Sequence, residues 1–562
     1  MLFRRSPNTC TVNGLRCYAK QYASQGSKPV KNKKHHLAAS VVKKKASKRS
    51  PLNPTPFHYG NFGGLKESEN ATVEKTAGLL KKITDFEQLK ILPQVRTAIT
   101  SIISRESILN NKNFIQTNRS ETRAIRNDSI LDPKSIKPSP IQVAAIKKLS
   151  KNLMDKKLQT NVIAAETGSG KTMAYLTPLF EFLKRSELES PEEWQVIKDK
   201  AVIRAVILVP THELVDQVYR TVQQSEELLG FHTFKWDSGA TYSEFLERIK
   251  SRIDILITTP GKLLNLFNVR MINRPERMLS RVQFVILDEA DTLMDQSWLE
   301  DTHKAIQSMP NTNHLLFCSA TIPNEFNKTM ERFFPTCQAI TTPKLHRLPY
   351  SLDFKLIDAT LNPYKGSKMK ALAQTLFAIM KDGTEAGFEK RCIVFVNEKK
   401  DVEKVREQLA NKYNHDCIGL TGEDTVEERA EKVKPFISPP RLLEGMNQND
   451  DRLLKTEIKR TPLSIPGSNI VLASKEELQP SRRLVALKIL VTTDLMARGL
   501  NFQGVRNVIL YDVPKTSIDL VHRVGRTGRM KQSGRVFMIT DKSTKSWAKG
   551  IPKVVKNQIP LS

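Results

Sequence analysis

What this chain lacks narrows it first. It has no stretch of about 18 consecutive apolar residues, so the sequence offers no membrane-spanning helix. Its six cysteines (Cys10, Cys17, Cys318, Cys337, Cys392 and Cys417) are scattered, with no CxxC pair and no His/Cys cluster at ligand spacing. Neither a disulfide framework nor a structural zinc site organises such a sequence, and a reducing compartment fits. Acidic residues are missing from the first 66 positions, where fourteen Lys or Arg stand unopposed; the first acid is Glu67.

What is there is positive charge. The formal net charge is +30 over 562 residues. Removing the fourteen charges of the first 66 positions leaves about sixteen on the remainder, so the folded part is basic in its own right. A polyanionic partner is expected, nucleic acid being the commonest. The hydrophobic share of 39% and charged share of 26% are those of a globular protein, and the length allows two or three domains.

Met1-Leu2-Phe3-Arg4-Arg5-Ser6 and the acid-free run after it have the composition of a mitochondrial transit peptide, drawn inward by the membrane potential. Arg16-Cys17-Tyr18-Ala19 is similar to a matrix-protease cleavage context, although Pro7 and Gly14 interrupt helical amphipathicity. A rival reading takes Lys43-Lys44-Lys45 and Lys48-Arg49 as a nuclear signal or an RNA-binding arm. Residues 1–64 are therefore expected to be a transit peptide and disordered basic segment, with 65–119 a flanking region. The expected location is the mitochondrial matrix; the nucleus or nucleolus is the alternative.

From about 120 to 342, short β-branched runs alternate with helical patterns, as in a parallel sheet flanked by helices. Val162-Ile163-Ala164 leads into Ala165-Glu166-Thr167-Gly168-Ser169-Gly170-Lys171-Thr172, then a helix. Strand, glycine turn and helix start together make a phosphate cradle of backbone N–H groups. Lys171 is expected to reach the β- and γ-phosphates, and the Thr172 hydroxyl to hold Mg²⁺. The apolar run Phe284-Val285-Ile286-Leu287 delivers Asp288-Glu289-Ala290-Asp291 to the same sheet edge. Asp288 is expected to act on Mg²⁺ through water, and Glu289 to orient and deprotonate the attacking water.

With these motifs the chain resembles the DEAD-box RNA helicases over about 130–540, and the resemblance implies two tandem RecA-like parallel-sheet domains, ATP with Mg²⁺, and RNA. Lys137-Pro138-Ser139-Pro140-Ile141-Gln142 looks like the Q motif, which implies that Gln142 pairs with the adenine edge. The aromatic usual some seventeen residues upstream is not evident; Ile125 stands near there. Val209-Pro210-Thr211-His212-Glu213-Leu214 carries His212 where the family has Arg, and Thr259-Pro260-Gly261-Lys262 carries Lys for Arg. Ser238-Gly239-Ala240 stands for the family's Gly-Gly pair. The resemblance implies that Pro210, Thr211, His212, Gly239, Thr259, Pro260, Gly261 and Lys262, with Thr492 of the second domain, grip the sugar-phosphate backbone without reading bases. Ser319-Ala320-Thr321 implies hydroxyls that bond the acids and couple hydrolysis to strand separation.

Residues 343–365 read as a linker, 366–545 as a second domain without a phosphate loop, about 437–483 as a disordered or loosely folded insertion, and 546–562 as a basic tail. Thr492-Thr493-Asp494 and Arg498-Gly499 resemble the motif lying between nucleotide and RNA, with Asn501 where the family has Asp. In His522-Arg523-Val524-Gly525-Arg526-Thr527-Gly528-Arg529, the resemblance implies that Arg526 and Arg529 supply arginine-finger charge. Asp291, Ser319, Thr321, Asp494, Arg498, Gly499 and His522 are then coupling residues. The expected activity is ATP-dependent local unwinding or remodelling of structured RNA by a monomer, mitochondrial rRNA in ribosome assembly being the first choice of substrate. The alternatives are an ATP-gated RNA clamp or ribonucleoprotein scaffold without processive unwinding, and a DNA helicase.

Overall fold

The computed structural model describes residues 82–106, 133–237, 239–269, 274–342, 345–349, 351–382, 384–385, 388–438, 440–441, 460–466, 470–475, 487–494, 500, 502–528 and 533–561, with a few positions between 74 and 80. The transit-peptide reading, Ile125, Ser238, Arg498, Gly499, Asn501 and Arg529 lie outside them. Among the described residues no helix is long and apolar enough to cross a membrane.

The first domain is built on seven parallel strands: β1 (Gln159–Ala164), β2 (Ile203–Leu208), β3 (Thr233–Trp236), β4 (Ile253–Thr258), β5 (Phe284–Asp288), β6 (His314–Ser319) and β7 (Gln338–Thr341), in the spatial order β3-β4-β2-β5-β6-β1-β7. β2, β4 and β6 are buried along their whole length, as expected of a parallel sheet covered on both faces. Alternation sorts their side chains into two cores. Ala205, Ile207, Ile255 and Ile286 face one set of helices, while Val206, Leu208, Leu256 and Leu287 face the other.

The second sheet holds six parallel strands: β8 (Leu352–Asp358), β9 (Lys390–Phe395), β10 (Asp416–Leu420), β13 (Leu487–Thr492), β14 (Val505–Leu510) and β15 (Gly534–Thr540), ordered β10-β13-β9-β14-β15-β8. A separate ribbon pairs β11 (Arg460–Ile465) with β12 (Ile470–Lys475).

In four segments the structure adds to the sequence reading. Residues 343–365 are not linker throughout, because β8 pairs with β15 along its whole length. As an edge strand it alternates loosely, and its signal is weak. The insertion is not wholly loose: β11 and β12 form an antiparallel hairpin, and Ile465 is fully buried in the core that includes Leu372 and Leu376. The basic tail is amphipathic, burying Ile551, Val554, Val555 and Leu561 while Lys549, Lys553 and Lys556 stay exposed. Finally, the flanking region contributes a helix, Pro93–Glu106, whose Val95, Ile99 and Ile102 join the first domain's core. Their i, i+4, i+7 spacing forms one helical stripe, each side chain worth up to roughly 1.5–3 kcal/mol of burial. Glu181, itself buried, accepts from Leu92 N at 2.9 Å and from Arg185 Nε at 2.7 Å.

Candidate functional site

Strand order arranges the chemistry. The segments following β3, β4 and β2 stand side by side at one half of the first sheet's C-terminal rim; those following β5, β6 and β1 make up the other half. Two of these segments start a helix capped by a hydroxyl, Thr211 before His212–Leu229 and Thr259 before Pro260–Leu264, and ahead of β1 Ser139 caps Pro140–Leu149 in the same way. Each accepts a backbone N–H three residues on, so the motif residue also fixes the angle at which its helix leaves the rim.

In the β1 loop, Gly168 and Gly170 have φ of 72° and 88°, the left-handed region that glycine enters without strain. Space adds a second constraint at Gly170, where a β-carbon would lie 2.7 Å from Gln142 Nε2. Gly170 immediately precedes the helix Lys171–Glu189, aiming that helix's free N–H groups and positive end at the loop. Lys171 Nζ donates to the carbonyls of Ala165 (3.0 Å) and Glu166 (3.1 Å). The Gln142 side chain is buried; Oε1 accepts from Ser139 N at 2.8 Å and Nε2 donates to Gly170 O at 3.3 Å. It therefore ties the Q-motif helix to the phosphate loop.

Across the rim, Asp288 Oδ1 accepts from Glu289 N (2.9 Å) and Oδ2 from the Tyr175 hydroxyl (3.0 Å). Burial, then the neighbouring Glu289 charge, pushes the Asp288 carboxyl up to about 6 against the pull of Lys171. Burial and Asp288 together hold the Tyr175 phenol well above its ordinary value, so its proton stays available to donate. Glu289 has φ of 51°, and its buried Oε2 has no hydrogen-bond partner among the described residues. A half-buried carboxyl pair with an orphaned oxygen, next to the loop that carries Lys171 and Thr172, is a donor set suited to a hard divalent cation and the phosphates it accompanies. The residues thus fit Mg²⁺ with a nucleoside triphosphate.

The last acid faces the other domain. Asp291 Oδ2 accepts from Thr321 Oγ1 at 2.6 Å and lies 3.1 Å from His522 Nε2, with all three side chains buried. Ser319 does not reach the acids in the same way: its hydroxyl accepts from Thr321 N at 3.1 Å and positions that threonine. Glu289, Asp291 and His522 bring ligand atoms within 4.8 Å of one another. Since Asp291 Oδ2 is shared between Thr321 and His522, this cluster is the relay of the cleft rather than a separate metal site.

The second domain meets the first directly. A β-carbon on Gly525 would collide with the Thr167 side chain of the phosphate loop, so glycine is required for the approach. Glu213 and Arg429 form a second bridge at 3.5 Å, a pair absent from the sequence expectations because nothing in either local window points to the other. Arg523, also unassigned there, is buried and holds Asp494 through both carboxylate oxygens (2.6 and 2.7 Å) while donating to Asn397 Oδ1 at 2.7 Å. Arg526, expected as an arginine finger, also makes contacts within its own domain. It is 2% exposed and donates to His522 O (2.9 Å) and Leu500 O (2.8 Å), bracing its own domain.

On the other half of the rim, Pro210, Thr211 and His212 follow β2, Gly239 follows β3, and Thr259, Pro260, Gly261 and Lys262 follow β4. Asp237 Oδ1 accepts from Gly239 N (3.0 Å) and Ala240 N (3.1 Å), shaping that turn. Lys262 Nζ lies 5.3 Å from the ring centres of both Trp236 and Tyr242. Burial lowers the Lys262 and His212 pKa values from their ordinary levels. Thr492 does not belong to this surface. As the last residue of β13 it is fully buried, and its hydroxyl donates to Leu420 O at 3.2 Å.

Family models match at two places: DEAD/DEAH box helicase over residues 139–329 and helicase conserved C-terminal domain over 483–531. Among curated relatives, the mitochondrial ATP-dependent RNA helicase MRH4 of Vanderwaltozyma polyspora is 56% identical over 556 residues, 98% of each chain. Its namesake from Saccharomyces cerevisiae is 58% identical over 525 residues, 92% of this chain and 90% of its own. Among solved structures, Mss116p bound to ssRNA and AMP-PNP superposes with a TM-score of 0.54 at 20% identity, over 76% of this chain and 74% of that one. S. cerevisiae Dbp5 bound to RNA and ADP BeF3 gives 0.50 at 19% identity, over 84% and 93%. At these identities the likeness concerns the paired parallel-sheet fold alone.

Proposed function

Because the chain belongs to the DEAD-box helicases, alongside mitochondrial ATP-dependent RNA helicases more than half identical to it along nearly its whole length, we propose that it opens structured mitochondrial RNA locally, by closing two domains on RNA and ATP together. It is a mitochondrial RNA-dependent ATPase. The observation that supports the cycle is the composite cleft: Asp291 and Thr321 of one domain bonded to His522 of the other, with Gly525 seated on the phosphate loop at Thr167.

Lys171 and the N–H groups of residues 168–172 hold the triphosphate, and Gln142 is placed to meet the adenine edge. Thr172 and Asp288 are the protein's side of an Mg²⁺ site; when bound, that ion would supply positive charge between phosphate oxygens. Glu289 Oε2, buried without a partner, takes the proton of the attacking water. Each ligand binds the closed arrangement better than the open one, so RNA and ATP shift the same equilibrium and assist one another. RNA held against Thr211, His212, Thr259 and Lys262 is gripped by its backbone, and 2′-hydroxyl contacts select RNA over DNA. The chain acts as a monomer, and ribosomal RNA during ribosome assembly is the substrate we favour, being abundant and highly folded.

The test is an unwinding assay on a short RNA duplex with Glu289→Gln as control. Wild type should separate strands with ATP and hydrolyse it about a hundredfold or more faster than the variant, which should still bind RNA tightly with nucleotide. Strand retention without separation by wild type would favour the clamp reading instead. Crosslinking the protein to RNA in purified mitochondria identifies the substrate, and absence of ribosomal RNA from the crosslinks would remove ribosome assembly.

A further inference from the structure

The chain crosses from one domain to the other within a few residues, and His346 stands at the crossing. Leu345 lies in the first domain's core with Ile322, whereas Leu348 lies in the second domain's core with Val554, Val555 and Leu561. His346 between them is 4% exposed and has φ of 62°. Its two hydrogen-bonding ends face opposite domains. The imidazole Nε2 accepts from Ile322 N at 3.1 Å, the first amide after the Thr321 that binds Asp291. Its carbonyl accepts from Leu561 N at 2.9 Å, next to the end of the C-terminal segment. Gln558 Nε2 donates to Leu348 O at 3.0 Å, and Ser351 Oγ to Gly528 O at 3.3 Å, so the second-domain side is fastened at two further points.

We propose that His346, with Leu561 bonded to its carbonyl and Gln558 to the neighbouring Leu348, is a positioning latch that holds the interdomain hinge in the closed arrangement and joins it to the Thr321–Asp291–His522 relay. Only an uncharged ring nitrogen can accept the Ile322 amide, and burial keeps this imidazole neutral by lowering its pKa to about 4. A lysine or arginine in its place has no acceptor to offer. The left-handed backbone turns the carbonyl toward the tail while the ring points toward the relay. The latch touches neither nucleotide nor RNA, so its effect falls on the balance between closed and open states.

This inference rests on the reading of the chain as an RNA-dependent ATPase, and the test separates the two. RNA affinity is measured with and without the nonhydrolysable analogue AMP-PNP; the ratio reports closure. In wild type a ratio near one would overturn the ATPase-cycle reading itself. Given a large wild-type ratio, His346→Ala should reduce it about tenfold and Gln558→Ala about threefold, both leaving nucleotide-free RNA affinity unchanged. His346→Gln, which returns an acceptor, should recover part of the loss. A merely structural histidine would lower thermal stability and the active fraction while the folded molecules kept the wild-type ratio. That result in His346→Ala, or an unchanged ratio in Gln558→Ala with wild-type stability, overturns the latch.

Discussion

The half of the first sheet's rim proposed to hold nucleotide (the nucleotide half) and the half proposed to hold RNA (the RNA half) share one strand–turn–helix plan, yet burial acts on side chains of opposite kind in the two. On the nucleotide side, acids are desolvated: Asp288 is pushed up to about 6 and Glu289 keeps an orphaned oxygen. On the RNA side, bases are desolvated: burial lowers both His212 and Lys262. On both halves burial outweighs the opposing neighbours, and the ligand proposed for each, a cation with its phosphates on one side and backbone phosphates on the other, would offset that burial. Electrostatic preorganisation of this kind lowers the reorganisation needed when the ligand arrives.

The largest expected effect tests that asymmetry. Lys171→Ala removes the cation between the phosphate loop and Asp288, and kcat/KM for ATP should fall about a thousandfold or more. RNA affinity without nucleotide should hold within about twofold, since the RNA half does not touch Lys171. A parallel loss of both would show that the halves are not separable. Filter binding beside an ATPase assay decides it.

The next prediction concerns the residues that join the halves. Thr321 and His522 converge on one oxygen of Asp291 from different domains. Asp291→Ala and His522→Ala should each lower RNA-stimulated ATPase by about tenfold to a hundredfold, and the double variant should be little worse than the poorer single. Additive losses would mean the two act independently. A double-mutant cycle should give a coupling energy of about 1.5–3 kcal/mol, the range for a hydrogen bond to a charged group.

Legibility followed the same division. The phosphate loop, the acids after β5 and the Ser-Ala-Thr after β6 could be placed from sequence because apolar runs of about four residues deliver each to a strand end. What escaped depended on distant partners. β8 is an edge strand whose identity rests on pairing with β15, some 180 residues on. The hairpin sits inside a polar insertion, and the tail's Ile551, Val554 and Val555 were obscured by the lysines between them. Thr492 has the right spacing for a ligand contact, but spacing does not give direction: it is buried and bonds Leu420. The helix Pro93–Glu106 is of the other kind, since its apolar stripe is periodic in the sequence itself.

The smallest effect expected is a pH dependence confined to the RNA half. The His212 imidazole is held below its ordinary value of 6.5 chiefly by burial, with Glu213 and Asp237 opposing and Arg429 and Lys262 assisting. A folded value below the unfolded one means the native state binds fewer protons. Its contribution to stability is then present above 6.5 and lost as pH falls through the lowered value. Phosphates arriving beside the ring raise that value again, so RNA binding takes up protons where folding releases them. Over the pH unit below neutrality, RNA affinity should therefore tighten by roughly threefold while thermal stability declines, two trends of opposite sign from one side chain. His212→Arg, charged throughout, should flatten the affinity trend and bind RNA more tightly at neutral pH. Fluorescence anisotropy at constant ionic strength provides the measurement, because each phosphate contact is also salt-dependent. An affinity trend that survives His212→Arg would place the titrating group elsewhere on the rim.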